Sequence, residues 1–111
     1  MKFLIISKMK DTATMVPPSV MRQLMEATLD LMNQEMKAGS ILEAYFMAGS
    51  GRAVVITEAK TAEEIVQRIL ALPIGGFMDF ETHPLANFHE SMKANIEALR
   101  AAENMFPMPP K

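Results

Sequence analysis

A few side chains in this sequence are of kinds that move protons, and their spacing groups them. Tyr45 is the only tyrosine among the 111 residues, and Glu43 stands two positions before it. Asp79, Glu81 and His83 occupy every second position of a later segment. In an extended chain, residues two apart share a face. The pattern therefore sets a phenol beside a carboxylate, and an imidazole beside two carboxylates. Transfer of a proton between carbons needs a base and a nearby acid of tuned pKa. Histidine is the side chain that changes charge near neutrality, a phenol can donate a hydrogen bond to a developing enolate, and a buried carboxylate becomes a stronger base. Tyr45, His83 and Glu43 are thus the candidate catalytic residues. Arg52 can hold a substrate carboxylate in a bidentate contact. Together with Asp79, Glu81 and Met47 it makes up the candidate substrate-binding set. Each residue also has an ordinary use: a packed aromatic with a satisfied hydroxyl, a strand-end histidine beside a proline, a solvated glutamate, a hairpin-end arginine. His89, near Glu90 at the start of a helix, reads as a surface residue.

Composition removes several other kinds of chemistry. The formal net charge is −2, and the basic residues are scattered, so no track exists for a phosphate backbone. There are no cysteines, which rules out thiolate catalysis, disulfides and cysteine metal sites. Alternate residues of one strand rarely converge on an ion without a further ligand, so Asp79, Glu81 and His83 are not expected to bind metal. Gly49-Ser50-Gly51 joins two strands and opens no helix, so it is no phosphate loop. No cofactor is expected. No stretch approaches the ~20 apolar residues of a membrane span. The apolar run after Met1 is too short for a signal peptide, and no small-residue cleavage site follows. The expectation is a soluble, cytoplasmic protein. The twelve methionines suit either an adaptable apolar pocket or an irregular core.

These residues need elements to position them. Lys2 to Met9, rich in Phe, Leu and Ile, reads as a largely buried strand, and Lys10 to Val16 as a loop. Pro17-Pro18-Ser19 opens a helix. That helix runs to Ala38 on a stripe of Met21, Leu24, Met25, Thr28, Leu31, Met32 and Met36. Gly39 stops it, with Lys37 at the negative end of the dipole. Ile41 to Ala48 is a strand, turned by Gly49-Ser50-Gly51 into a hairpin with Arg52 to Glu58. Thr61-Ala62-Glu63-Glu64 is a capping box opening a helix that Pro73 ends at Leu72. Phe77 to His83 reads as a fourth strand and Pro84 to Asn87 as a turn. A last helix from Phe88 or His89 to about Glu103 follows, with Ile96 and Leu99 on its buried side. The expected organisation is one domain over residues 1–104 and an apolar, proline-rich tail over 105–111.

The order β-α-β-β-α-β, plus a C-terminal helix, is that of a ferredoxin-like α+β fold. Both helices cover one face of a four-stranded antiparallel sheet and the other face stays open. That open face is expected to carry Ile41, Tyr45 and Met47 beside Glu43, Asp79, Glu81 and His83. Soluble proteins seldom leave such apolar groups together in water. A second copy packed sheet to sheet would cover them, so a homodimer or higher homo-oligomer is expected. The alternative is a plain solvated sheet.

One segment carries a family likeness. Leu72-Pro73-Ile74-Gly75-Gly76-Phe77-Met78-Asp79-Phe80-Glu81, followed by Pro84-Leu85, resembles the muconolactone isomerase family. In that family Leu-Pro and a short apolar turn precede a Met-Asp strand. The likeness extends in outline over residues 2–90, including the hairpin glycine at Gly49. It implies a dimeric α+β barrel, a small carboxylate-bearing or cyclic ligand in the groove, and cofactor-free proton transfer next to a carbonyl. The family's His-Tyr pair after the hairpin glycine is replaced here by Ser50 and Gly51. The family's glutamate in the first helix falls at Thr28, or at Glu26 with a small shift. The leading expectation is a cofactor-independent isomerase or lyase acting on a small unsaturated or cyclic carbonyl compound. The alternatives are a non-catalytic small-molecule-binding or pathway accessory protein, and a cofactor-free monooxygenase on the same barrel.

Overall fold

The computed structural model describes residues 1–106. Its order is β1 (Lys2–Met9), α1 (Pro18–Ala38), β2 (Ile41–Met47), β3 (Arg52–Glu58), α2 (Ala62–Ala71), β4 (Met78–Leu85) and α3 (Phe88–Met105). The strands form one antiparallel sheet in the order β2-β3-β1-β4. This is the expected ferredoxin-like α+β arrangement, with the third helix appended.

The register of β1 sorts the side chains into two faces. Phe3 faces Thr57 and Pro84, Ile5 faces Val55 and Thr82, and Ser7 faces Ala53 and Phe80. This is the covered side. Phe3, Ala59 and Ile65 make its buried cluster, with Ile5 and Ile69 packed against it. Thr28 is the one buried residue of α1. Its hydroxyl donates to the Leu24 carbonyl at 2.8 Å and accepts the Ile74 amide at 3.2 Å, tying α1 to the connection before β4. Arg68 of α2 donates to the Thr57 hydroxyl and the Glu58 carbonyl, tying α2 to β3.

Local signals set the ends of these elements. Gly39 caps α1 at φ 85°, a left-handed conformation that costs a glycine little. The Thr61 hydroxyl accepts the Glu64 amide at 3.3 Å, and the Glu64 carboxylate takes the Lys60 amide at 3.2 Å. The return bond of the capping box thus lands one residue before the cap. Gly75 sits where a Cβ would lie 2.7 Å from the Ile69 carbonyl oxygen, so close packing after α2 excludes any side chain there.

The structure corrects five expectations. Asp11–Met15, read as loop, is a short 3-10 helix. Phe77 belongs to a 3-10 turn, Gly75–Phe77, and the last strand begins at Met78. That strand continues through Pro84 to Leu85, where a turn was expected, because β4 is an edge strand and a proline there removes no interior ladder bond. A register shift between Ile41 and Glu43 places Ile41 opposite Thr57, so Ile41 lies on the covered side and not beside Tyr45. Finally, α3 runs to Met105, and Ile96 and Leu99, expected on a buried side, are exposed. Residues 107–111 of the expected tail lie outside the described residues.

No residue of α3 is buried. The radius of gyration is 19.9 Å and the longest extent 69 Å, whereas a compact chain of 100 residues has a radius of about 13 Å. The helix stands away from the domain that precedes it.

Candidate functional site on the open sheet face

The other face of the sheet carries rows of side chains that the strand register defines. One row reads Met47, Arg52, Lys8, Asp79 across the four strands. The next reads Tyr45, Val54, Ile6, Glu81, and the third Glu43, Ile56, Leu4, His83. All seven site residues expected from the sequence lie on this one face. Alternation places them there, and the bulge at Leu42 removes Ile41 from among them.

The face has an apolar floor and polar margins. Leu4, Ile6, Val54 and Ile56 on the two central strands are half-buried. Tyr45 and Glu43 rise at the β2 margin, with the phenol 3.4 Å from the Glu43 carboxylate. His83 and Glu81 rise at the β4 margin, with Nε2 3.3 Å from the Glu81 carboxylate. These two pairs are brought together within themselves but not with each other. Strands stand about 4.8 Å apart, so the β2 and β4 backbones are roughly 14 Å apart across the sheet. A small ring lying on Val54 and Ile6 would have Tyr45 on one side and Glu81 on the other. Tyr45 is 61 % exposed in the single chain, and the remaining site residues are exposed as well.

One end of the face is cationic. Lys8 and Arg52 are direct cross-strand neighbours. Like charges so placed repel. Among the described residues, neither makes an ion pair, and nor does Asp79 beside them. A depression of about 130 Å³ there is lined by Ile6, Lys8, Arg52, Asp79 and Glu81, among others. Lys8 and the floor were not picked out from the sequence. An isolated lysine near the end of an apolar strand acquires meaning only once the register sets it against Arg52.

The two positions suggested for a first-helix glutamate lie elsewhere. Thr28 is buried under the covered face, and Glu26 pairs with Arg22 at 2.9 Å on the solvent side of α1. Ser50 lies in the hairpin turn, where its hydroxyl donates to the Met47 carbonyl, and Gly51 follows at φ 67°. No group of three His, Cys, Asp or Glu side chains able to hold a metal ion occurs among the described residues. No helix among them is long and apolar enough to cross a membrane.

These features define a ferredoxin-like α+β domain with a polar-rimmed, apolar open face. The chain belongs to the muconolactone delta-isomerase family, whose model matches residues 1–91. The crystal structure of muconolactone isomerase has the same fold, with a TM-score of 0.68 at 20% identity over 78% of this chain and 90% of that one. So does 5-chloro-2-hydroxyhydroquinone dehydrochlorinase from Burkholderia phenoliruptrix AC1100, solved with 2,5-dihydroxybenzoquinone. Its TM-score is 0.53 at 19% identity, over 81% of this chain and 98% of that one. At these identities the likeness to both is one of fold. No curated protein is significantly similar in sequence. Family membership supports a small-molecule isomerase- or lyase-type function.

Proposed function

We propose that this protein is a cofactor-independent isomerase, or a related lyase, acting on a small unsaturated or cyclic carbonyl compound that carries an anionic group. The observation that carries the reading is the row Tyr45, Val54, Ile6, Glu81, with the cationic pair Lys8 and Arg52 one step along the strands. The substrate ring lies on Val54 and Ile6. Its carboxylate meets Arg52 and Lys8, two residues away along the strands, or roughly 7 Å. Glu81 or His83 takes a proton from a carbon next to the carbonyl. The electron pair moves onto the carbonyl oxygen, which accepts a hydrogen bond from the Tyr45 phenol. The proton then returns at another carbon and the double bond shifts. No electrons are gained or lost, so no redox partner is needed. In a lyase, the enolate would instead expel a leaving group.

The site needs a cover. A second copy packed on the open face would exclude water and strengthen each of these polar contacts. It would also bring its own margins over the floor. The exposed Tyr45 and Met47 and the half-buried apolar floor support this pairing.

The test is proton exchange in deuterium oxide, followed by NMR, over a set of unsaturated lactones and cyclic enones with and without a carboxylate. The expected result is deuterium incorporation with the carboxylate-bearing compounds. Tyr45→Phe, and whichever of Glu81→Gln and His83→Gln removes the base, should slow it by roughly 10²-fold or more, the range of general acid–base groups. Arg52→Ala should raise KM more than it lowers kcat. The sequence resemblance favours a second reading, a non-catalytic binding protein, because it implies a His-Tyr pair where this chain has Ser50 and Gly51. Saturable binding of these compounds without exchange above the solvent background would establish that reading and overturn the first.

A further inference from the structure

The end of the open face beside the hairpin holds charges that the fold does not use. Lys8 on the central strand β1 stands directly opposite Arg52 of β3 on one side and Asp79 of β4 on the other. Opposite charges that face each other across strands ordinarily attract, and like charges so placed repel. Pairing of Lys8 with Asp79 would be the obvious way to relieve the Lys8–Arg52 repulsion. Yet among the described residues Lys8, Arg52 and Asp79 make no ion pair, with each other or with any neighbour. All three side chains are exposed, and all three line the depression of about 130 Å³.

These charges are unequal in number. Lys8 and Arg52 against Asp79 leave one positive charge uncompensated. Glu81 lines the same depression, but its carboxylate leans on His83 at 3.3 Å. A bound monoanion therefore neutralises the cluster. A bare carboxylate does so badly, because the Asp79 carboxylate beside it only accepts hydrogen bonds and repels a second anion. An anion with a hydrogen-bond donor next to it satisfies all three side chains. The anion meets Arg52 and Lys8, and the donor meets Asp79 on the next strand, about 4.8 Å further across the sheet. A neutral hydroxyl keeps the charge balanced, whereas an ammonium would restore the excess positive charge. The depression has the volume of about four waters. That admits a carboxylate, its neighbouring carbon and one hydroxyl, and leaves the remainder of the ligand on the apolar floor.

We propose that Asp79 is a specificity-determining residue, and that the ligand of the open face is a 2-hydroxycarboxylate whose carboxylate binds Arg52 and Lys8 while its hydroxyl donates to Asp79. The inference rests on the placement of a substrate carboxylate at Arg52 and Lys8, and it narrows the substrate class of that site. Asp79 touches the ligand hydroxyl and takes no part in moving the carbon-bound proton. It also discriminates by repulsion, because an anion that brings no donor meets an unpaired carboxylate.

Three probes of one skeleton test this: phenylacetate, mandelate and phenylglycine, which carry a hydrogen, a hydroxyl and an ammonium beside the carboxylate. Their dissociation constants for the full-length protein are measured by NMR titration. One enantiomer of mandelate should bind roughly tenfold more tightly than phenylacetate, the scale of one hydrogen bond to a charged group. In Asp79→Ala the preference should vanish: mandelate weakens, while phenylacetate, freed of the repulsion, tightens. Asp79 is exposed, so this variant keeps the core, and a general loosening would weaken both probes instead of moving them in opposite directions. Equal binding of mandelate and phenylacetate, with both weakened by Arg52→Ala, would overturn the role of Asp79 and leave the carboxylate placement standing. Probe binding indifferent to Arg52→Ala, or no binding of any probe at ~10 mM, would overturn the carboxylate placement and this inference with it. Tightest binding of phenylglycine would overturn the hydroxyl and set an ammonium at Asp79.

Discussion

Strand β1 serves two faces with alternate residues, and they are built to different standards. Phe3 and Ser7 on the covered side are 2% and 8% exposed. Polar groups on that side are spoken for: Thr28 and Thr57 both donate hydroxyl bonds to carbonyls, and among the described residues no buried side-chain polar atom lacks a partner. On the other side Leu4 and Ile6 are half-buried and Lys8 is exposed. The polar groups beside them lean on one neighbour at 3.3–3.4 Å or on none. The covered face is a finished interior around Phe3, Ser7 and Thr57, in which unmade bonds are costly, and only at its β2 edge does Phe46 stand 85% exposed. The open face keeps its donors and acceptors uncommitted, as a surface awaiting a ligand or a partner must.

The largest test of this contrast is Phe3→Ala, which should cost about 3–5 kcal/mol of stability, the range for emptying a buried aromatic site. Urea unfolding measures it. A loss below about 1 kcal/mol would mean that the fold does not depend on this cluster. Thr28→Val should cost about 1–3 kcal/mol, because the Ile74 amide is left buried and unpaired. Gly75→Ala should cost a similar ~1–3 kcal/mol through the clash with the Ile69 carbonyl. The smallest effects are expected on the open face. Tyr45→Phe and His83→Gln should change stability by less than about 0.5 kcal/mol at fixed protein concentration. A loss of several kcal/mol from either would erase the distinction between the faces.

The sequence was most informative where the signals were local. The capping box at Thr61, the proline entry and glycine exit of α1, and the period-two alternation of Glu43, Tyr45 and Met47 could all be read from a few adjacent residues. So could the motif from Leu72 to Glu81. What escaped depends on distant partners. That Pro84 can remain in a strand follows from β4 being at an edge, which no local pattern states. Lys8 gains significance only from the register that sets it against Arg52. The stripe of α3 announces that some surface must cover it, yet periodicity does not say which surface does, so the exposure of Ile96 and Leu99 within the single chain is not legible in it. Alternation also carries no mark of an extra residue, so the bulge at Leu42 left Ile41 assigned to the wrong face.

That bulge has a consequence for how the strand can change over evolutionary time. Before it, Ile41 answers to the helices; after it, Glu43, Tyr45 and Met47 answer to whatever occupies the open face. One inserted residue resets the alternation, so that beyond it Glu43, Tyr45 and Met47 face the open side while Ala44 and Phe46 pair with Val55 and Ala53 on the covered one. Substitutions at Glu43, Tyr45 and Met47 can then be sampled for new ligands without renegotiating the packing of Ile41 and Ala44.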